Sequence, residues 1–188
     1  MRLFAAVNPS AAAVDELAAA VHALRALPGA GRLRWTEPAT WHFTLAFLGE
    51  VDESLLPGLG ERLARAAHRH PPHDLRFAGG GRFGDRLLWA GADGDVETLR
   101  GLARSAAAGA RRAGVPVDEK HAFHAHITLA RVADRVNLRP YVAGLAGFEG
   151  RWWPVERLEL VRSRLPGASG VPGERPRYET VAAWELGR

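Results

Sequence analysis

The chain has 188 residues, 47% hydrophobic and 24% charged, enough to bury the core of one domain or of two small lobes sharing a core. No stretch approaches the roughly 18 unbroken apolar residues of a membrane-spanning helix. The opening MRLFAAVNPS lacks the pattern of a secretory leader, and the absence of cysteine excludes disulfides, thiolate zinc sites and cysteine nucleophiles. A cytoplasmic protein with no membrane association is therefore expected. A formal charge of +4 and a pI near 10.5 favour an anionic partner such as nucleic acid or phosphate, although Lys120 is the only lysine and an arginine-rich compositional bias explains the charge equally well.

Arg2 to Val7 is short, apolar and alternating, and predicts a strand. Ser10 can cap a helix that runs through SAAAVDELAAAVHALRAL to a stop at Pro28-Gly29. Leu33 to Thr36 reads as a short strand, and Trp41 to Leu48 as a longer one ended by Gly49. Asp52 then caps a helix to Ala67, with Pro57 tolerated near its first turn. Leu75–Ala78 and Arg86–Ala90 predict a hairpin around GGGRFGD. Asp95 to Ala113 is a second long helix, ended by Gly114. A strand over Ala125–Val132 follows, then a short helix over Asn137–Leu145 with Pro140 near its start. Strands over Trp153–Ser163 and Tyr178–Leu186 close the chain, and the Gly/Pro-rich RLPGASGVPGERP between them reads as a loop.

These elements repeat. Arg2-Leu3-Phe4-Ala5-Ala6-Val7 resembles Arg86-Leu87-Leu88-Trp89-Ala90-Gly91, and His42-Phe43-Thr44-Leu45 resembles His126-Ile127-Thr128-Leu129. Strand, helix and His-x-Thr strand recur in the same register, as a duplication would leave them. The expected architecture is α+β: a single bilobal domain over residues 1–188 of two pseudo-symmetric lobes, each an antiparallel sheet backed by helices, with a central cleft, and with the internal repeat falling at roughly 1–84 and 85–188. Two copies related by a pseudo-twofold would turn equivalent strands toward each other across that cleft.

On a strand, residues i and i+2 share a face, so His42 points with Thr44 and His126 with Thr128. Imidazole titrates near neutrality, so one ring can be neutral while the other is protonated. Such a pair suits displacement at phosphorus: one ring takes a proton from the attacking water and the other protonates the departing oxygen. Each role is worth roughly 10²–10⁴ in rate. Two threonine hydroxyls can donate to the non-bridging oxygens where charge accumulates, and no metal or other cofactor is required.

With these motifs the chain resembles the 2H phosphoesterase superfamily, and within it the RNA 2′,3′-cyclic phosphodiesterases once called 2′–5′ RNA ligases. The resemblance spans Met1-Arg2-Leu3-Phe4-Ala5-Ala6, Trp41 to Leu45 with Phe47-Leu48-Gly49-Glu50-Val51, Arg82-Phe83-Gly84 before Trp89-Ala90-Gly91, His126 to Arg131, and Tyr178-Glu179 with Trp184-Glu185-Leu186. It implies hydrolysis of RNA 2′,3′-cyclic phosphate ends, those of tRNA among them, to 2′-phosphomonoesters. By the resemblance, His42 is the proton donor, His126 the proton acceptor, and Thr44 and Thr128 phosphate ligands. Ala125 departs from the proline usual before the second motif.

Other residues carry alternatives. Arg131 could bind an RNA phosphate, but strict alternation puts it on the face opposite His126 unless the strand twists or ends there. His124 shares the His126 face; it could line the cleft or, with His126 and His121, offer a metal site, a reading disfavoured because no carboxylate stands at convincing spacing. Phe83 could stack on a base, though covering the core beside the hairpin is the favoured reading. Trp35 and Trp41 suit core or rim packing. His68, His70 and His73 suit a solvated cluster at a helix end, and His22 a helix surface. Alternative functions are hydrolysis of another cyclic phosphodiester, reversible 2′–5′ RNA joining, a metallohydrolase, and a non-catalytic RNA-binding module.

Overall fold

A computed structural model describes residues 1–120, 122–167 and 174–188. Strand β1 (Arg2–Val7) buries five of its six residues because it is central in its sheet. It pairs antiparallel with β3 (Phe43–Glu50) on one side and β8 (Arg157–Arg164) on the other, and β9 (Arg177–Glu185) completes the order β3-β1-β8-β9. A second antiparallel sheet has the order β2-β6-β5-β4-β7, from β2 (Arg34–Trp35), β6 (His126–Arg131), β5 (Leu87–Gly94), β4 (His73–Phe83) and β7 (Trp153–Val155).

Helices α1 and α3 start where their caps predict. The Ser10 hydroxyl accepts from the Ala13 N–H at the head of α1 (Ala11–Leu24). The Asp95 carboxylate accepts from Thr98 N–H at the head of α3 (Val96–Arg112), and Gly114, at φ +85°, ends that segment. Asp52 caps a short 3₁₀ turn that leads into α2 (Leu56–Arg69), with Pro57 in its first turn. Helices α2 and α3 pack against each other and against β9, β8 and β3; α1 and α4 (Arg139–Leu145) pack against β4. The result is the expected α+β architecture of two helix-backed antiparallel sheets. Among the described residues no helix is long and apolar enough to cross a membrane.

One continuous core joins the sheets. Phe43 from the first stacks against Phe77 and Trp153 from the second, with ring centroids 5.7 and 5.9 Å away. A smaller buried group, Phe4, Ala6 and Val161, lies on the other face of the first sheet, where the functional residues stand.

Several boundaries differ from expectation. Helix α1 stops at Leu24, before Pro28-Gly29, and β3 begins at Phe43 and runs through Gly49 to Glu50. The glycines 79–81 lie within β4 rather than in the hairpin turn. A Cβ on Gly81 would stand 2.3 Å from Cζ2 of Trp89, and one on Gly80 2.7 Å from the Trp89 carbonyl, so these glycines admit the neighbouring strand. The predicted strand over Trp153–Ser163 is two strands in different sheets. Its buried positions shift phase, from Trp153 and Val155 to Leu158 and Leu160, where the chain crosses at Glu156. His73 is not part of a solvated cluster: it opens β4 opposite Val155 and is 7% exposed. His70 bonds to Ser105, while His68 is exposed. Residues 168–173 of the predicted Gly/Pro-rich loop, and His121, lie outside the described residues.

Candidate active site

His42 immediately precedes β3 and His126 opens β6. Both half-buried rings are held in the same way. Nδ1 of His42 lies 2.7 Å from the carbonyl oxygen of Thr40, and Nδ1 of His126 lies 2.7 Å from that of His124. A carbonyl can only accept, so each Nδ1 carries a proton and each Nε2 is left to exchange one. Nε2 of His42 is 3.0 Å from the Thr44 hydroxyl, as the shared strand face requires. The Thr128 hydroxyl has no hydrogen-bond partner among the described residues.

Both histidines have their pKa lowered below 6.5. For His42 the main cause is burial, opposed by the Thr40 carbonyl and reinforced by the charge of His126. For His126 it is again burial, opposed by the His124 carbonyl and reinforced by the charges of His124 and Arg131. The charge of His126 thus reaches His42.

A bulge in each motif shapes both half-sites. Ala5 pairs with Ala46 but Ala6 with Thr44, leaving Leu45 unpaired; Leu88 pairs with Ala130 but Trp89 with Thr128, leaving Leu129 unpaired. The extra residue reverses the alternation beyond it. Arg131, opposite Leu87, therefore returns to the face of Thr128 and His126, against the expectation from strict alternation. Phe47 takes the matching place in the other half, opposite Phe4, and is 66% exposed. The halves are not in perfect register: Thr44 and Thr128 are 84 residues apart, whereas their partners Ala6 and Trp89 are 83 apart.

The two motifs are tied by short bonds. Strand β2 pairs with β6, the Thr36 N–H donates to the Leu129 carbonyl at 2.9 Å, and the Thr36 hydroxyl donates to the Thr128 carbonyl at 2.7 Å. The buried Trp41 donates from its indole to the same Thr36 hydroxyl at 2.8 Å. The residue preceding His42 is thereby linked to the backbone of Thr128. A cavity of about 490 Å³ opens beside His42, bordered by Phe4, Asn8, Thr40, Trp41 and Tyr178.

The family model described as LigT-like phosphoesterase matches this chain twice, over residues 7–92 and 93–171. The chain belongs to the LigT-like phosphoesterase family. It is 33% identical over 136 residues to an RNA 2′,3′-cyclic phosphodiesterase of Archaeoglobus fulgidus, an alignment covering 70% of this chain and 73% of that one. An RNA 2′,3′-cyclic phosphodiesterase of Geobacillus stearothermophilus is 29% identical over 157 residues, which cover 81% of this chain but about half of the relative (47%). The crystal structure of Escherichia coli LigT complexed with 3′-AMP superposes with a TM-score of 0.74 at 25% identity, covering 100% of this chain and 98% of LigT.

In this LigT-like phosphoesterase some predicted residues come together and others do not. Phe83 is 43% exposed and meets the His126 ring edge-on at 5.1 Å, so it stands beside that ring rather than covering the core. His124 is exposed, with its ring 5.7 Å from that of His126 and 4.6 Å from that of Trp89. Among the described residues no three His, Asp or Glu side chains gather as a metal site. Sequence reasoning missed Phe4, stacked on His42 at 4.7 Å, and Tyr178, edge-on to it at 5.1 Å. Tyr178 reaches His42 from β9 across β8 and β1, a proximity that strand order alone creates. Trp89 and Thr36 were also unassigned.

Proposed function

We propose that this LigT-like phosphoesterase hydrolyses RNA 2′,3′-cyclic phosphate ends to 2′-phosphomonoesters by metal-independent acid–base catalysis. Nε2 of His126 accepts a proton from water as the water oxygen bonds to phosphorus. The bond from phosphorus to the 3′ oxygen breaks, and Nε2–H of His42 protonates that oxygen. The hydroxyls of Thr44 and Thr128 donate to the non-bridging oxygens. Arg131, whose charge already reaches His126, adds a cation at the same phosphate. Phe83 and His124 border the place where the adjoining nucleoside would lie.

The observation that carries this reading is the matched pair of imidazoles, each fixed through Nδ1 by the carbonyl two residues upstream, with the charge of His126 reaching His42. The names of the relatives supply the substrate class. Two successive matches to one family model support descent from a duplicated half, within a single bilobal domain.

The test is incubation with RNA ending in a 2′,3′-cyclic phosphate, in EDTA, with identification of the product. A 2′-phosphate end formed at an undiminished rate is expected. A 3′-phosphate product, or activity abolished by EDTA and restored by a metal, would overturn the mechanism.

A further inference from the structure

On the far side of the first sheet from His42, helices α2 and α3 form a groove of about 190 Å³ edged by five arginines. Arg62, Arg65 and Arg69 rise along one wall, and Arg104 and Arg112 along the other. No carboxylate borders the groove, and none of the five arginines has an ion-pair or hydrogen-bond partner among the described residues. The inward faces of these helices are apolar: Leu59, Leu63, Leu99 and Leu102 are fully buried in the main core. The arginines therefore stand on the outer face of the helix pair, separated from the cleft by core and sheet.

The groove is narrow because its floor is small. Ala66, Ala108 and Gly109 form it, and a Cβ on Gly109 would lie 3.2 Å from Cβ of Arg62. Close helix approach thus brings two rows of guanidinium groups together, at a cost in mutual repulsion that no ion pair among the described residues relieves. Compositional bias accounts for many arginines in this chain. It does not account for five unpaired ones facing a single groove from two helices.

We propose that this groove is a second RNA site, which grips the phosphodiester backbone of a strand independently of its end chemistry. The proposal rests on the reading of RNA as the substrate. Along a helix, Arg62 to Arg69 spans about 10 Å and Arg104 to Arg112 about 12 Å. Either row is therefore long enough to meet more than one backbone phosphate of a strand. Guanidinium groups match phosphate oxygens bidentately. The lining holds no aromatic side chain, so it reads no base, and it offers no large apolar anchor of the kind a bilayer surface would take up. A concave basic channel suits a strand better than a flat membrane.

The test uses the full chain and a fluorescent oligouridylate of about 20 nucleotides with a 3′-hydroxyl end, titrated by anisotropy across a salt series. The triple variant R65Q/R69Q/R104Q is expected to bind at least about tenfold more weakly. The slope of log affinity against log salt should fall by about 2, at about 0.7 for each of three lost phosphate contacts. Ala108→Glu, which places a carboxylate in the floor, should weaken binding in the same direction. Turnover of a dinucleotide 2′,3′-cyclic phosphate should be unchanged in both variants, which also verifies their folding. Unchanged affinity and slope in both variants would overturn the proposal, as would a wild-type chain that captures phosphatidylserine vesicles but not the oligonucleotide. A failure of cyclic-phosphate hydrolysis by the wild type would instead overturn the catalytic reading and leave the binding comparison intact.

Discussion

Replacing Thr44 and Thr128 by valine, one at a time, probes whether both hydroxyls act on the phosphate. Valine keeps the β-branched shape and removes only the hydroxyl, so the strand should persist. A hydrogen bond to a charged oxygen is worth about 1.5–3 kcal/mol, and 1.36 kcal/mol is tenfold in rate, so each substitution should lower kcat/KM by about 10- to 150-fold. The two should not be equal. The Thr128 hydroxyl has no protein partner among the described residues, so Thr128→Val removes a phosphate contact alone. The Thr44 hydroxyl lies 3.0 Å from Nε2 of His42, so Thr44→Val also frees the proton-donating ring and should cost more. Steady-state kinetics on a dinucleotide 2′,3′-cyclic phosphate measures both, with Thr→Ser variants expected to recover most of the loss. If either valine variant stayed within about twofold of wild type, that hydroxyl would not be contacting the transition state.

Removal of either imidazole, His42→Ala or His126→Ala, should reduce kcat by about 10²–10⁴, because each ring has one free nitrogen and cannot serve both sides of the phosphorus. Full activity in one variant would dismiss the two-histidine mechanism. The pH profile of kcat/KM should be bell-shaped with its maximum below pH 6.5: both pKa values are lowered, so above that range the ring acting as acid has lost its proton. The negative charge of bound substrate favours imidazolium, so the kcat profile should lie at higher pH than that of kcat/KM; a kcat/KM maximum well above neutrality would contradict the assigned environment. Gly81→Ala should destabilise the fold by about 1–3 kcal/mol, read as a lower Tm, because its Cβ would meet the Trp89 ring at 2.3 Å. An unchanged Tm would mean that the ring moves freely.

What the sequence determined by itself was local. The caps at Ser10 and Asp95, the glycine stop at Gly114 and the short apolar run of β1 act between near neighbours, and each element formed where those signals lie. The doubled His-x-Thr motif likewise implied that imidazole and hydroxyl share a face, since that follows from the strand period alone. Tertiary structure decided the rest. The bulges at Leu45 and Leu129 are defined only against the partner strands β1 and β5, and the second returns Arg131 to the face of His126 and Thr128. The crossing at Glu156 depends on which sheet each flanking segment joins, and Phe4 and Tyr178 reach His42 through strand order. The groove between α2 and α3 exists because Gly109 lets two helices far apart in the chain come close. Hydrogen bonding within a helix or along a strand's own face is set by residues a few positions apart. Bulges, sheet exchange and clefts arise from pairings whose partners no local pattern names.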